Sequence, residues 1–554
     1  MFLKIYILFY INRKSIYYFV FISCLHSIIN IDDIELTHSV NNENIIELNS
    51  FYIINRISGI TSDNDPYNYL LGIFEASNDI NFSDALPIAI IKEKHIQNIK
   101  NNEINIAINI PNPYKYIRYI PPNQIEIKLD QIKIFGHEFS ENEDLSNKKF
   151  FTVTNLPLMI FNTENSVEPI SNEEYIISQI IIINDNEKEL NETAKIRIRG
   201  HSTATLPKKP YKIKFEKKQK IFGISGKYKN WALLANHYDK SLIRNSLAFK
   251  ISEIIGLEFT PRCEPVDVIL NGNYRGNYFI CDQIEVKEGR VDIEEITEDD
   301  ISGGYLLEID GRAMKEDKYF LTDRGLIGEI KYPDSDDITK KQENYIKLYL
   351  NKMETNVYKG NLGYLDLNSF YRYFIMQEFC ADIDSVWSSF HVTKRKGYDK
   401  LYFGPVWDYD LSFDNDGRLA PTNNKTKFSF YYGKTAGSAR DFIIKILKAN
   451  NSIIGINETW NEIRENGLNF ETLENFIEQK TDLLLESANL NFLRWFGSKI
   501  GEGKRDYLKS VDVVSNFIEQ RFDSLSNLIN TYDFCGTRLK INYCVILLIL
   551  LILF

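Results

Sequence analysis

Apolar and polar positions between residues 45 and 137 alternate with a period of two in short runs. Glu103-Ile104-Asn105-Ile106-Ala107-Ile108-Asn109-Ile110 and Gln124-Ile125-Glu126-Ile127-Lys128-Leu129 place every second side chain on one face, the mark of half-buried strands. The acidic, polar stretch Ser140 to Lys149 reads as a linker, and 138–150 is taken as its extent. Beyond Phe150 the pattern is mixed. Ala194 to Gly200 predicts a strand running into a turn. Pro210 to Phe215 predicts a second, with Lys212 and Lys214 opposite Tyr211, Ile213 and Phe215. Trp231 to Leu234 leads through Asn236 and Asp239 into a helix over 240–255, with Asp239 as its cap. Val266 to Leu270, the turn pair Asn271-Gly272, and Tyr274 to Gln283 predict a hairpin. Gly303 to Asp310 predicts a strand. After Thr339 helical spacing takes over, clearest in Leu367 to Cys380, Leu473 to Leu490 and Val511 to Ile529. The fold class is therefore α+β, with mixed β-sheets and a helical C-terminal part.

A length of 554 residues accommodates two or three domains, and 44% hydrophobic with 25% charged residues describes a globular chain. A net charge of −11 argues against nucleic acid as the main partner. Both ends carry the pattern of processing signals. Arg13-Lys14, the apolar run Ile16 to Ile22 and small or polar residues after it fit a secretory signal or signal anchor within 1–31. Cys535-Gly536-Thr537, a polar spacer and the apolar tail Val545 to Phe554 fit a lipid-anchor signal over 535–554. The tail is too short to span a bilayer, which takes ~20 residues. The expected location is extracellular, on the cell surface, held to the membrane by a terminal anchor. Of six cysteines, Cys263 and Cys281 flank the predicted hairpin at a spacing that allows them to pair. Sequons at Asn81, Asn191, Asn424, Asn450 and Asn457 are compatible with secretion.

The densest chemistry lies in Gly404-Pro405-Val406-Trp407-Asp408-Tyr409-Asp410-Leu411-Ser412-Phe413-Asp414-Asn415. If Trp407 to Leu411 is extended, Asp408 and Asp410 point to the same side. Two adjacent carboxylates repel unless a cation bridges them, and hard divalent cations prefer oxygen ligands. The aromatic neighbours favour partial burial and hence a metal site over a solvated turn. Asp384 and Asp382 follow the 367–380 helix. A negative charge is unfavourable at a helix C-terminus, which suggests that one of the two serves chemistry.

Several blocks kept in order carry a family resemblance. They are Ile198-Arg199-Gly200-His201-Ser202-Thr203, Pro207 to Phe215, Trp231 to Asn236, Asp239 to Asn245, Val266 to Gly276, Gly303 to Asp310 and Pro405 to Asp410. Across about 151–530 the chain resembles the spore-coat CotH kinase family. The resemblance implies an atypical protein-kinase-like domain that uses ATP with Mg2+ or Mn2+ and phosphorylates Ser/Thr of a protein substrate. Fungal surface members are better known as adhesins, so a catalytically weak surface-binding protein with a receptor as partner is the alternative. By resemblance, Asp408 and Asp410 hold metal and Asp384 orients the acceptor hydroxyl as base. Lys212 or Lys214 neutralises phosphate, and Arg199 with its turn contacts phosphate oxygens. The strand ending at Asp282 and Gln283 occupies the adenine-side position of a kinase hinge. Arg244 and Asn245 are structural support. The turn reads His201-Ser202 where the family commonly has Asn-Ser. Segments 72–84, 116–120 and 132–136 resemble the later part of a discoidin-like, galactose-binding β-sandwich. The 45–137 region is therefore read as a small β-sandwich module, for docking or for glycans.

Overall fold

Alternating apolar residues close a seven-stranded barrel at the centre of the chain. Around the barrel run Ile176–Asn184, Glu187–Ile198, Tyr211–Gln219, Tyr228–Leu234, Asn273–Asp282, Cys263–Leu270 and Leu158–Thr163. The last two pair in parallel, and Leu158–Thr163 completes the circle by pairing antiparallel with Ile176–Asn184. Ile182, Ile196, Ile213, Phe215, Trp231, Val268 and Ile280 fill the interior. Burial of such side chains contributes about 1.5–3 kcal/mol each. The computed structural model describes residues 34–531 apart from 41–44, 62–64, 98, 100–101, 123–128, 225, 298–299, 383, 417–436, 438 and 450–451. The expected terminal signals (1–31 and 535–554), the stretch Gln124 to Lys128 and the sequons at Asn424 and Asn450 lie outside the described residues. Among the described residues no helix is long and apolar enough to cross a membrane.

The predicted hairpin is present. Cys263–Leu270 pairs with Asn273–Asp282 through Asn271 at φ 49° and Gly272 at φ 72°, backbone values that suit this residue pair. Cys263 faces Cys281 across the ladder and the two are disulfide-bonded. The helix expected over 240–255 begins later, at Arg244. Leu242 sits at φ 59°, which no right-handed helix admits, so the chain turns once more first. The N-cap position is therefore Ile243, without a side-chain cap, and not Asp239 as expected. Asp239 accepts the backbone N–H groups of Ser241 and of Arg244, the first helical residue, from the preceding turn.

A second, five-stranded sheet follows in the order Tyr319–Leu321, Ile327–Tyr332, Tyr305–Ile309, Phe390–Lys394 and Leu401–Phe403. The helices Lys340–Tyr358, Leu367–Cys380, Arg440–Lys448, Ser452–Glu465, Phe470–Trp495 and Gly503–Thr531 share one core with it. Phe370, Phe379, Trp460 and Phe522 belong to that core. At the other end of the chain, the 17-residue strand Ile45–Thr61 organises a largely antiparallel sheet. Its first half pairs with His38–Val40 and Tyr114–Ile120, its second with Glu103–Ala107 and Leu129–Glu138. This N-terminal sheet meets the barrel through one buried apolar cluster. Leu71, Ile73, Leu86 and Ile90 face Leu158, Ile160, Ile181, Ile183 and Leu490 there.

Candidate active site

One end of the barrel and the inward side of the second sheet line a cavity of about 610 Å³. The barrel strand Glu187–Ile198 delivers Arg197 and Arg199 to it, and the strand Tyr211–Gln219 delivers Lys212. Between these strands the chain turns at Gly200, which has φ 81° and would place a Cβ against the Thr203 hydroxyl. A side chain there is disfavoured twice over. The second sheet contributes Glu308, Glu329, Lys331 and His391 to the same space. Asp408 and Asp410 complete the wall.

Cations crowd the barrel side. Lys212 has no carboxylate at ion-pair distance among the described residues, and its pKa is lowered to about 8. Burial is the main cause, followed by the positive charges of Arg197, Lys331 and Arg199. Arg199 lies 5.3 Å from the Trp407 ring centroid. Its pKa is lowered by burial, against the opposing pull of Asp408 and Glu308. Lys331 is held above the usual lysine range: burial works to lower it, but Glu308 at 3.5 Å and Glu329 at 2.9 Å outweigh burial. His391, 3.7 Å from Glu308, is pushed down by burial, toward the neutral form.

The acidic loop is not extended, which corrects the expectation for Trp407 to Leu411. Residues 404–409 are irregular and 410–415 form turns, with Asp408 at φ 71°. Left-handed backbone at a non-glycine residue is uncommon, and the surroundings must hold it there. They do. Asn245 Oδ1 accepts the Tyr409 N–H at 2.8 Å, between the two aspartates. The buried Arg244 guanidinium donates to the Ser412 and Phe413 carbonyls while paired with Asp239. Phe413 N–H donates to the Cys380 carbonyl at the end of the 367–380 helix. Asp408 and Asp410 thus share one cavity through loop geometry.

Their charges feel each other. The Asp410 carboxyl is pushed well up by burial, then by Asp408, Asp239, Asp382 and Asp384. Asp408 is exposed to solvent, which corrects the expected partial burial for this member of the pair. Loss of water on its cavity side still raises its carboxyl, with Arg199 opposing and Asp384 and Glu308 adding to the rise. Among the described residues no three His, Cys, Asp or Glu side chains are gathered into a ready metal-ligand group. Mg2+ needs no such group, since it takes one or two carboxylates and completes its shell with water and phosphate. Two neighbouring aspartates on a polar cavity wall, Asp408 only partly offset by Arg199, fit that donor chemistry.

Not every expected residue reaches the cavity. Gln283 lines it, with Oε1 buried and without a hydrogen-bond partner. Asp282 is instead a structural anion, bonded to Arg262 at 2.7 Å and Arg290 at 2.9 Å. Lys214 shares the face of Lys212 but stands outside the lining, exposed two residues further from the turn. Asp384 is half-buried just behind the wall, close enough to raise Asp382, Asp408 and Asp410. Asp382 is buried and accepts the Asp384 N–H, a positioning contact. Glu308, Lys331 and His391 were missed in the sequence reading. Glu308 lies opposite inward-facing Leu307 and Ile309 in a block already singled out, and that alternation was the available signal.

Comparison with known proteins bears on this geometry. A family model described as CotH kinase protein matches residues 196–525, more than half of the 554-residue chain. The chain belongs to the CotH kinase protein family. No curated protein matches it. A solved structure entitled "CBM62 from Clostridium thermocellum Xyl5A" is similar at 19% identity, over 17% of this chain and 68% of that one. Its TM-score of 0.15 carries no argument about the N-terminal sheet.

Proposed function

We propose that this protein is an atypical kinase that transfers the γ-phosphate of ATP to a Ser or Thr hydroxyl of a secreted or cell-surface protein. The observation that carries the reading is the cavity itself, where the cations Arg199 and Lys212 share one space with the Asp408–Asp410 pair. Phosphoryl transfer needs this division: cations and metal on the phosphates, and a carboxylate to position the nucleophile. Mg2+ or Mn2+, held by Asp408 and Asp410, would supply neutralisation of phosphate charge. Arg199 and Lys212 orient the phosphate chain. Gln283 accepts from the adenine amino group in this reading, which its buried, unpartnered Oε1 supports. Asp384, which stands behind the cavity wall, is the proposed base. As the acceptor hydroxyl oxygen bonds to the γ-phosphorus, the bond from that phosphorus to the β,γ-bridging oxygen breaks, ADP leaves with the electron pair, and the hydroxyl proton passes to the Asp384 carboxylate. Arg244 and Asn245 keep the acidic loop in register. The kinase-like fold class belongs to this proposal.

The Cys263–Cys281 disulfide supports an oxidising compartment, in keeping with secretion. The terminal anchor, the protein acceptor and a glycan role for the N-terminal sheet are parts of the same proposal. The test is transfer from γ-labelled ATP by the full chain with Mg2+ or Mn2+, with the modified residue identified. Incorporation that disappears in Asp408→Asn supports the kinase. No incorporation together with no ATP-dependent thermal shift rejects it in favour of the surface-binding alternative.

A further inference from the structure

Asn236 follows the barrel strand Tyr228–Leu234 and lines the cavity, 5% exposed, with its backbone at φ 49°. Its Nδ2 is buried and has no hydrogen-bond partner, and neither does Nδ1 of the next residue, His237, on the same wall. A buried donor without an acceptor is costly and rare in a folded protein. The orientation of this amide follows from its neighbours. Asn245 Oδ1 must be the acceptor for the Tyr409 N–H, so Asn245 presents its NH2 group on the other side. That NH2 group donates to Asn236 Oδ1 at 3.4 Å. Asn236 Oδ1 is thereby occupied, and the free end of the side chain is a donor, unable to ligate a metal. One asparagine, Asn245, joins this donor to the loop carrying Asp408 and Asp410.

We infer that Asn236 is a nucleotide-contacting residue whose side-chain amide donates a hydrogen bond to a phosphate oxygen of the nucleoside triphosphate. The inference rests on the kinase reading and deepens it. A neutral donor at this point binds an anionic oxygen without adding to the repulsion among Arg197, Arg199 and Lys212.

Two substitutions test it in the full chain. Asn236→Asp keeps the size and the acceptor for Asn245 but removes the donor. Asn236→Gly removes the side chain, suits the left-handed backbone and adds no charge. Affinities for ATP with Mg2+ and for adenosine are measured by calorimetry, with melting temperature as a check on folding. Both variants are expected to bind ATP about tenfold or more weakly, as for a hydrogen bond to a charged group. Adenosine affinity should stay within about twofold of the wild type. Equal ATP affinity in wild type and variants overturns the assignment to Asn236 and leaves the kinase reading standing. A parallel loss of ATP and adenosine assigns Asn236 a structural role and also overturns it. A wild type that binds no ATP overturns the kinase reading, and this inference with it.

Discussion

Asp410 is held where its charge is unfavourable, and the sign of that effect separates a functional residue from a structural one. Its pKa is raised in the folded chain, chiefly by burial and then by Asp408. Between the unfolded carboxylate value, ~3.9, and the raised folded value, the native state binds more protons than the unfolded state. The stabilising contribution is therefore present at low pH and is lost as pH rises through the folded pKa. With divalent cations chelated, Asp410→Asn should melt about 2 °C or more above the wild type at pH 7, with little gain at pH 4. Phosphate transfer should be lost in the same variant. A lower melting temperature at pH 7 would instead make Asp410 a structural carboxylate. Lys212 gives a second test at this scale. Its pKa of about 8 means that the free cavity loses a cation as pH passes that value. Affinity for ATP should weaken above pH 8, by up to about tenfold per pH unit. Lys212→Arg, charged throughout, should flatten the profile. A wild-type profile already flat from pH 7 to 9 would remove Lys212 from the phosphate site.

The helix Arg244–Ile255 positions the acidic loop from its first turn. Arg244 and Asp239 are 3% and 1% exposed, and the guanidinium also bonds two loop carbonyls. Removing one partner of a buried ion pair costs about 3–5 kcal/mol, because the other charge is left unpaired. Arg244→Ala should therefore lower stability by about that amount in denaturant unfolding. Asp239→Asn combined with Arg244→Met should recover part of it without restoring transfer, since the loop carbonyls stay unanchored. Full recovery of transfer would show that the clamp does not govern the site. Elements of this kind were only half legible in the sequence. The 266–283 hairpin announced itself through Asn271-Gly272, and the 367–380 helix through its spacing, because both signals are local. The left-handed Asp408 was not legible, since the forces that fix it come from Arg244 and Asn245, more than 160 residues away. Asp282 drew attention for a comparable reason. A carboxylate at a strand end reads as available until Arg262 and Arg290 are found beside it.

At the scale of the whole molecule, the helix Phe470–Trp495 joins parts that are remote in sequence. Leu490 belongs to the apolar cluster between the N-terminal sheet and the barrel, while Asn491 accepts a 2.8 Å hydrogen bond from Lys208 on the cavity wall. Lys208 also donates to the Asn277 carbonyl, and its Nζ lies 4.5 Å from the Tyr278 ring centroid. It has no carboxylate at ion-pair distance among the described residues, and burial pulls its pKa well down. The consequence for stability has a definite sign. Above the folded pKa and up to the unfolded lysine value of ~10.4, the unfolded chain binds the extra proton. Stability relative to a variant without this amine must then rise with pH across that window. Lys208→Met keeps most of the stem and removes the titrating group. The stability difference, wild type minus Lys208→Met, should be larger at pH 9 than at pH 7 in urea unfolding. Asn491→Leu tests the link from the other side. It should cost about 1–3 kcal/mol by leaving the amine with one fewer acceptor, and it should weaken ATP binding from a helix that does not itself line the cavity. If Asn491→Leu destabilises the fold but leaves ATP affinity unchanged, Lys208 serves only to join helix and barrel. If both change together, the junction of N-terminal sheet, barrel and helix is part of what shapes the site.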